Sequence, residues 1–197
     1  MANLLVAPWA LAGPSPPWPR WRASLYYIKK GTLVSLSEQQ LVDCVDIEEK
    51  RSPRRGLEWI ANNGGITTDK DYPYTGKVGT CDQGKLKNHA ATISGYKRID
   101  DNTELALMAA VARQPVAVDA SFFKSYKAGT IYSGPCVEVK NHCLTMVGYG
   151  ENGKDKFWIA KNSFGTGWGD KGYVLLKRGL TGSGLCKIAH LAVYPTM

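Results

Sequence analysis

The most informative part of the sequence is Asn141-His142-Cys143, followed after a glycine-containing segment by Lys161-Asn162-Ser163-Phe164-Gly165-Thr166-Gly167-Trp168-Gly169. His142 opens one apolar run, and Asn162 closes a second one 20 residues later. Two strands joined by a hairpin would bring these side chains together. Imidazole is a general base near neutral pH, and an asparagine can fix its orientation. Taken alone, a histidine at a strand end is more often a packing or surface residue, so the rest of the chain decides.

Length and composition are those of a globular protein with one large domain or two small ones. The chain has 197 residues, of which 44% are hydrophobic and 21% charged, and no apolar run approaches the ~18–20 residues of a membrane span. The net charge of +8 is spread along the chain without a nucleic-acid-binding motif,. We therefore expect neither a membrane nor a nucleic acid as partner.

Cysteine usage indicates disulfides rather than a metal site. The five cysteines form no C-x-x-C pair, and only three histidines are present, so we expect no zinc site and no other cofactor. An odd, widely spaced set fits two disulfides and one thiol in an oxidising compartment. Spacing alone leaves the pairing open.

Hydrophobic periodicity and capping residues predict helices in the first half of the chain. Ser37 can cap the first of them, and Gln40, three residues on, can complete a capping box. The predicted helices are 35–44, 56–62 and 103–113. The predicted apolar stripe of the third consists of Leu105, Met108 and Ala112, with Leu107 and Val111 beside it.

Short β-rich runs separated by glycines predict strands in the second half. They are 116–118, 130–132, 143–149, 157–161 and 172–177. Helices followed by strands predict an α+β chain, with two lobes meeting near residue 95.

The first 24 residues predict an irregular, proline-rich head. Prolines between Pro14 and Pro19 exclude a helix because they lack amide donors,. Ala10-Leu11-Ala12 is similar to a signal cleavage site, but no basic residue precedes it,. We therefore expect no functional signal peptide in this segment.

From about Tyr26 onward the sequence resembles the papain-like cysteine proteases, the family of the cathepsins and plant thiol proteases. The resemblance implies a papain-like two-lobe fold: an incomplete, truncated helical lobe over 25–95, and an antiparallel, barrel-like β lobe over 96–197. It is carried by Ser37-Glu38-Gln39-Gln40-Leu41-Val42-Asp43-Cys44, Asn63-Gly64-Gly65, Asp71-Tyr72-Pro73-Tyr74, Asn141-His142, Val147-Gly148-Tyr149-Gly150, Lys161-Asn162-Ser163 and Gly167-Trp168-Gly169.

The resemblance also implies roles for individual residues. His142 matches the catalytic histidine of the family and Asn162 its orienting asparagine, while Phe164 stands where the family has a tryptophan over their contact. The remaining implied assignments are the disulfides Cys44–Cys81 and Cys136–Cys186, Cys143 as the thiol outside them, and Trp168 as a supporting residue.

The nucleophile of the family has no counterpart in this sequence. Counting back from Cys44 by the family spacing, ~31 residues, leads to Gly13, and the surrounding Ala12–Pro16 contains neither a sulfur nor a helix-forming pattern. Cys143 cannot replace it, because neighbours on a strand point to opposite faces, and Ser15 lies among prolines. Residues 46–55 also lack the Cys-x-Gly-Gly turn with which the family holds its substrate.

These features predict a cysteine-type peptidase homologue that is catalytically incomplete. Two alternatives remain: a non-enzymatic protein that binds peptides or protease inhibitors, and a non-functional truncated gene product. The expected partners are a peptide or protein substrate or a protease inhibitor, and the chain is expected to be monomeric. By resemblance, its location is the lysosome or vacuole, or the extracellular space.

Overall fold

The computed structural model describes residues 34–45, 53–120, 126–136 and 142–197. Within these ranges the chain separates into two compact units. Residues 34–97 with 195–197 are the first unit, and residues 98–194 are the second unit. The predictions for the head 1–24 and for the replaced turn up to residue 52 lie outside the described residues.

The first unit contains the helices α1 (Glu38–Cys44) and α2 (Pro53–Asn62). Ser37 caps α1 as predicted, because its Oγ accepts a hydrogen bond from Gln40 N at 2.9 Å. The predicted capping box is wrong, since the buried Gln40 side chain instead accepts from Thr67 N. Helix α2 begins three residues before the predicted start, at Pro53, where a residue without an amide hydrogen fits the first turn.

The second unit contains helix α3 (Glu104–Val111), capped by Thr103, whose side chain accepts from Ala106 N. The prediction of an apolar stripe through Leu105 is wrong: its side chain is 70% exposed, whereas Leu107 is fully buried. The buried residue of the first turn is instead Glu104, because its carboxylate accepts from the Trp158 indole and from the backbone of Gly179 and Leu180.

Seven strands form one sheet in the order β1-β7-β2-β4-β5-β6-β3. Five of the strands, β2, β4, β5, β6 and β7, form antiparallel pairs, but β3 pairs parallel with β6, so the predicted antiparallel lobe contains one parallel pair. The first and last strands were not predicted. The strands are β1 (Gly95–Arg98), β2 (Val116–Ala120), β3 (Ile131–Tyr132), β4 (His142–Asn152), β5 (Asp155–Lys161), β6 (Tyr173–Lys177) and β7 (Val193–Thr196).

One face of the central strands and helix α3 enclose the core of the second unit. Side chains alternate along β5, with Trp158 and Ala160 fully buried, as expected for a sheet with one covered face. The largest fully buried side chains of this core are Trp158, Leu107, Leu144, Met146, Leu176 and Ile188.

The β4–β5 hairpin positions the candidate site. Its strands are paired down to Asn152 and Asp155, and Gly153 takes the positive φ of 61° that the tight turn needs,. His142 is the first residue of β4, and Asn162 directly follows β5. The hairpin therefore returns the chain to the end of the sheet where it began.

The described helices and strands define an α+β protein. None of its described helices is both long enough and apolar enough to cross a bilayer. The last strand ends in the first unit, where Ser94 N donates to the carbonyl oxygen of Thr196 at 2.8 Å.

Candidate active site

His142 and Asn162 lie side by side in the second unit. His142 Nε2 is 2.7 Å from Asn162 Oδ1, and the two residues are only 5% and 1% exposed. Backbone pairing fixes both positions, since His142 is opposite Ala120 of β2 and Asn162 N donates to Gly172 O at 2.9 Å. The contact therefore belongs to the sheet and its neighbouring loop.

The hydrogen bonds around Asn162 determine the tautomer of the imidazole. Ser163 N donates to the same Asn162 Oδ1 at 2.7 Å, so that atom is an acceptor. His142 must then donate through Nε2, which leaves the lone pair of the neutral ring on Nδ1. A general base working at this site would use Nδ1.

Burial lowers the pKa of the His142 imidazole below its ordinary value of 6.5, and the hydrogen bond that the ring donates to Asn162 opposes part of that shift. Removal from water disfavours the charged ring, whereas the Asn162 carbonyl stabilises it. The imidazole is consequently neutral at neutral pH, in the form that can accept a proton.

An aromatic pair lies over the imidazole. The Phe164 ring stacks on His142 with centroids 5.0 Å apart and planes 26° apart, and Trp168 meets Phe164 edge-on at 5.4 Å. Both aromatic residues are half-buried. Phe164 thus keeps an apolar cover over the His142–Asn162 hydrogen bond although its ring is smaller than an indole.

Tyr126 and Asp170 hold the other end of this aromatic group, and the sequence did not indicate their contact. The Tyr126 hydroxyl donates to Asp170 Oδ2 at 2.5 Å and accepts from Leu175 N at 3.3 Å. Burial, together with the bond to Asp170, raises the pKa of Tyr126 to about 12. The Gly169-Asp170-Lys171-Gly172 segment signals a turn, but nothing in it reveals a partner 44 residues earlier.

Cys143 is buried, and its thiol is directed at a carboxylate. Its Sγ lies 3.7 Å from Asp119 Oδ1, and Asp119 is its cross-strand neighbour on β2. His142 precedes it on the same strand, where successive side chains alternate between faces. The sulfur and the imidazole therefore have different partners.

The other four cysteines form two disulfides in the structure. Cys44–Cys81 closes within the first unit with Cα atoms 4.7 Å apart, and Cys136–Cys186 closes within the second unit at 5.2 Å. Among the described residues, no group of three or more His, Cys, Asp or Glu side chains could hold a metal ion.

A buried imidazole held through Nε2 by a buried asparagine amide, in an α+β chain with two disulfides, is typical of a thiol protease. The chain belongs to the papain family: residues 22–196 match the family model described as papain family cysteine protease.

Similar proteins support that membership. The chain is 40% identical to fruit bromelain of Ananas comosus over 88% of its length, and 45% identical to vignain of Vigna mungo over 85%. It spans about half of each of these two relatives, 51% and 49% respectively. A solved bromelain structure from Ananas comosus, in complex with the E64 inhibitor, aligns with 99% of this chain and 91% of its own, at a TM-score of 0.80 and 38% identity.

Proposed function

We propose that this chain is a papain-family homologue that retains the histidine and asparagine of the catalytic triad but does not hydrolyse peptides by the thiolate mechanism. One observation carries the proposal: Cys44 is the first cysteine of the sequence, and in the structure it is bonded to Cys81. The position where the family spacing places the nucleophile is Gly13.

The other cysteines support the same conclusion. Cys136 and Cys186 are joined to each other. Cys143 directs its sulfur at Asp119, and turning it toward the imidazole would require β4 to break its pairing with β2. His142 has the correct tautomer for a general base, but the sequence provides it with no thiol to deprotonate.

Loss of a triad nucleophile costs about six orders of magnitude in turnover. No thioester can form without the sulfur, so the remaining His142–Asn162 pair cannot divide hydrolysis into acylation and deacylation. We therefore expect the purified chain to leave peptide substrates intact, as a catalytically inactive member of its family.

The test is hydrolysis of fluorogenic peptides by the purified chain, with His142→Ala as the matched variant. We expect both proteins to give the uncatalysed rate. Cleavage by the unmodified chain and none by His142→Ala would show that a nucleophile exists, and the proposal would be abandoned. Rapid labelling by a thiol-directed inhibitor that survives Cys143→Ser would have the same meaning.

A second function is binding of peptides or protease inhibitors without cleavage, by a monomeric chain. It is supported by the alignment of nearly the whole chain with a bromelain solved in complex with an inhibitor. Calorimetric titration with an oligopeptide and with a protein inhibitor of papain-family enzymes tests it, with His142→Ala as control. Absence of both binding and hydrolysis would favour the third alternative, a non-functional truncated product.

The disulfides favour an oxidising compartment for the folded chain. Bonds such as Cys44–Cys81 form and persist in oxidising surroundings, so we place the protein in the lysosome or vacuole, or outside the cell. Cell fractionation tests this placement; recovery in the reduced cytosol with all five cysteines open to alkylation would contradict it.

A further inference from the structure

The loop that follows Asn162 carries an unbroken series of ring contacts away from His142. Phe164 stacks on the imidazole, Trp168 meets Phe164 at 5.4 Å, and the Tyr126 ring lies 5.4 Å from Trp168. All of these rings belong to the second unit. The last of them, Tyr126, is 8% exposed, so the series begins and ends on buried residues and passes through half-buried ones.

Tyr126 and Asp170 fasten the far end of this series with several hydrogen bonds. Asp170 Oδ2 accepts from the Tyr126 hydroxyl, and Asp170 Oδ1 accepts from Gly129 N at 2.7 Å. The hydroxyl also accepts from Leu175 N on β6. One carboxylate therefore connects the segment containing Tyr126 with the loop that carries Trp168.

The fit between the loop and Tyr126 is close. Gly169 has a φ of +53°, and a Cβ at that position would lie 2.5 Å from Tyr173 O and 3.1 Å from the Tyr126 ring. Only glycine is compatible with this approach. The backbone beside Trp168 therefore packs directly against the Tyr126 ring.

We propose that Tyr126 and Asp170 are positioning residues for His142, which they influence through Trp168 and Phe164. Neither residue contacts the imidazole, and their effect is to keep the Phe164 ring over the His142–Asn162 hydrogen bond. This inference rests on the proposed role of that pair and adds two residues that hold its cover in place.

The physical basis is exclusion of water from one hydrogen bond. A bond between two buried partners is strengthened by its low-dielectric surroundings, and water that reaches it competes for both partners. Without the Tyr126 hydroxyl, Asp170 Oδ2 loses its donor and Leu175 N its acceptor. The loop then loosens, and the Phe164 ring no longer stays stacked on His142.

The experiment is NMR spectroscopy of the full chain in which the His142 imidazole is observed directly. In Tyr126→Phe, and independently in Asp170→Asn, the carbon-bound imidazole protons should move downfield because the shielding by the stacked Phe164 ring is lost. The His142 Nε2 proton should also exchange with solvent about five- to tenfold faster, the factor that corresponds to the net contribution of one hydrogen bond.

Two control variants separate positioning from a general loss of stability. Tyr149→Phe removes a phenol hydroxyl from a 38% exposed residue of the same unit and should leave the His142 signals unchanged. In a Phe164→Leu background the cover is already gone, so adding Tyr126→Phe should have no further effect on them. A full second effect in that background would show that Tyr126 acts by another route.

The inference is overturned if Tyr126→Phe and Asp170→Asn both retain a dispersed spectrum and leave the His142 signals at their original positions. It is equally overturned if both variants fail to fold, because the pair would then be a requirement of the fold rather than a positioning device. Peptide hydrolysis, measured separately, reports only on the proposed function: cleavage by the unmodified chain would refute inactivity and leave the NMR result standing.

Discussion

The indole Nε1 of Trp158 donates a hydrogen bond to Glu104 Oε1 at 2.9 Å in the interior of the second unit. The other carboxylate oxygen of Glu104 accepts from Gly179 N at 2.7 Å and from Leu180 N at 2.8 Å. One buried acidic side chain thus satisfies three donors, from β5 and from the loop after β6. It lies in the first turn of α3, where the helix dipole also favours a negative charge.

Replacing Glu104 should therefore destabilise the protein far more than a surface carboxylate would. Glu104→Ala leaves the buried Trp158 indole N–H without its acceptor, together with the backbone N–H groups of Gly179 and Leu180, and we expect it to lower the free energy of unfolding by ~2–4 kcal/mol. Glu104→Gln keeps one acceptor oxygen and should cost less, ~1–3 kcal/mol. Urea denaturation measures both. A change below ~0.5 kcal/mol in the alanine variant would mean that these donors find other acceptors.

Stability should depend on pH through His142. Burial lowers its pKa below 6.5 in the folded chain, so between the folded pKa and 6.5 the unfolded chain binds a proton that the folded chain does not. The stabilising contribution is present above pH 6.5 and is lost as the pH falls through the folded pKa. Denaturation curves recorded across this range give the free energy of unfolding at each pH. In His142→Gln this free energy should depend less on pH than in the unmodified chain. An identical pH dependence in that variant would assign the effect elsewhere.

Removing the Cys136–Cys186 disulfide should lower stability by about 4 kcal/mol, the entropy expected for cross-linking residues 50 positions apart,. The double variant Cys136→Ala/Cys186→Ala, compared with the parent by thermal unfolding, measures this difference.

The Cys44–Cys81 disulfide provides the comparison. It spans a similar separation of 37 residues, but Gln39 and Asp43 also hold the segment before Cys81, through bonds to Lys77 O and Gly79 N. Its double alanine variant should keep that segment in place, as judged by amide exchange of Gly79. Full exposure of this amide would show that the disulfide alone orders the segment.

Cys143 should react slowly with thiol reagents. It is 5% exposed, and its Sγ lies 3.7 Å from Asp119 Oδ1 on β2, so a reagent reaches the sulfur only when the sheet opens locally. Alkylation followed by mass spectrometry should show a rate limited by opening of the sheet and accelerated by mild denaturant. Cys143→Ser should abolish the labelling. Fast labelling in native buffer would show that the sulfur is accessible.

The sequence predicted local features whose partners lie nearby. The Ser37 cap of α1 was predictable because its hydrogen bond joins residues only three positions apart. The β4–β5 hairpin was predictable because the turn between its strands contains a glycine. The same hairpin predicted that His142 and Asn162 lie close together, and the resemblance to the papain family supplied the roles expected of them.

The main errors involve partners that are distant in sequence. Gln40 bonds to Thr67 rather than to its own helix end, and Glu104 is buried because Trp158 and the loop after β6 provide donors, which turned the predicted α3 face outward at Leu105. Tyr126 was missed for the same reason, because its partner Asp170 lies 44 residues later in the sequence. Sequence patterns reflect residues that are neighbours along the chain, whereas the hydrogen-bond partners of these side chains are determined by tertiary contacts.

The hydrogen bond between Ser94 N and Thr196 O affects how the chain can fold during its translation. These residues are 102 positions apart, and residues 195–197 belong to the unit that otherwise ends at residue 97. The N-terminal part of the chain leaves the ribosome first, yet its unit lacks a piece of its own structure until residue 196 has been translated. Co-translational folding, which normally proceeds one domain at a time from the N-terminus, cannot finish the first unit before the second unit has been synthesised in full.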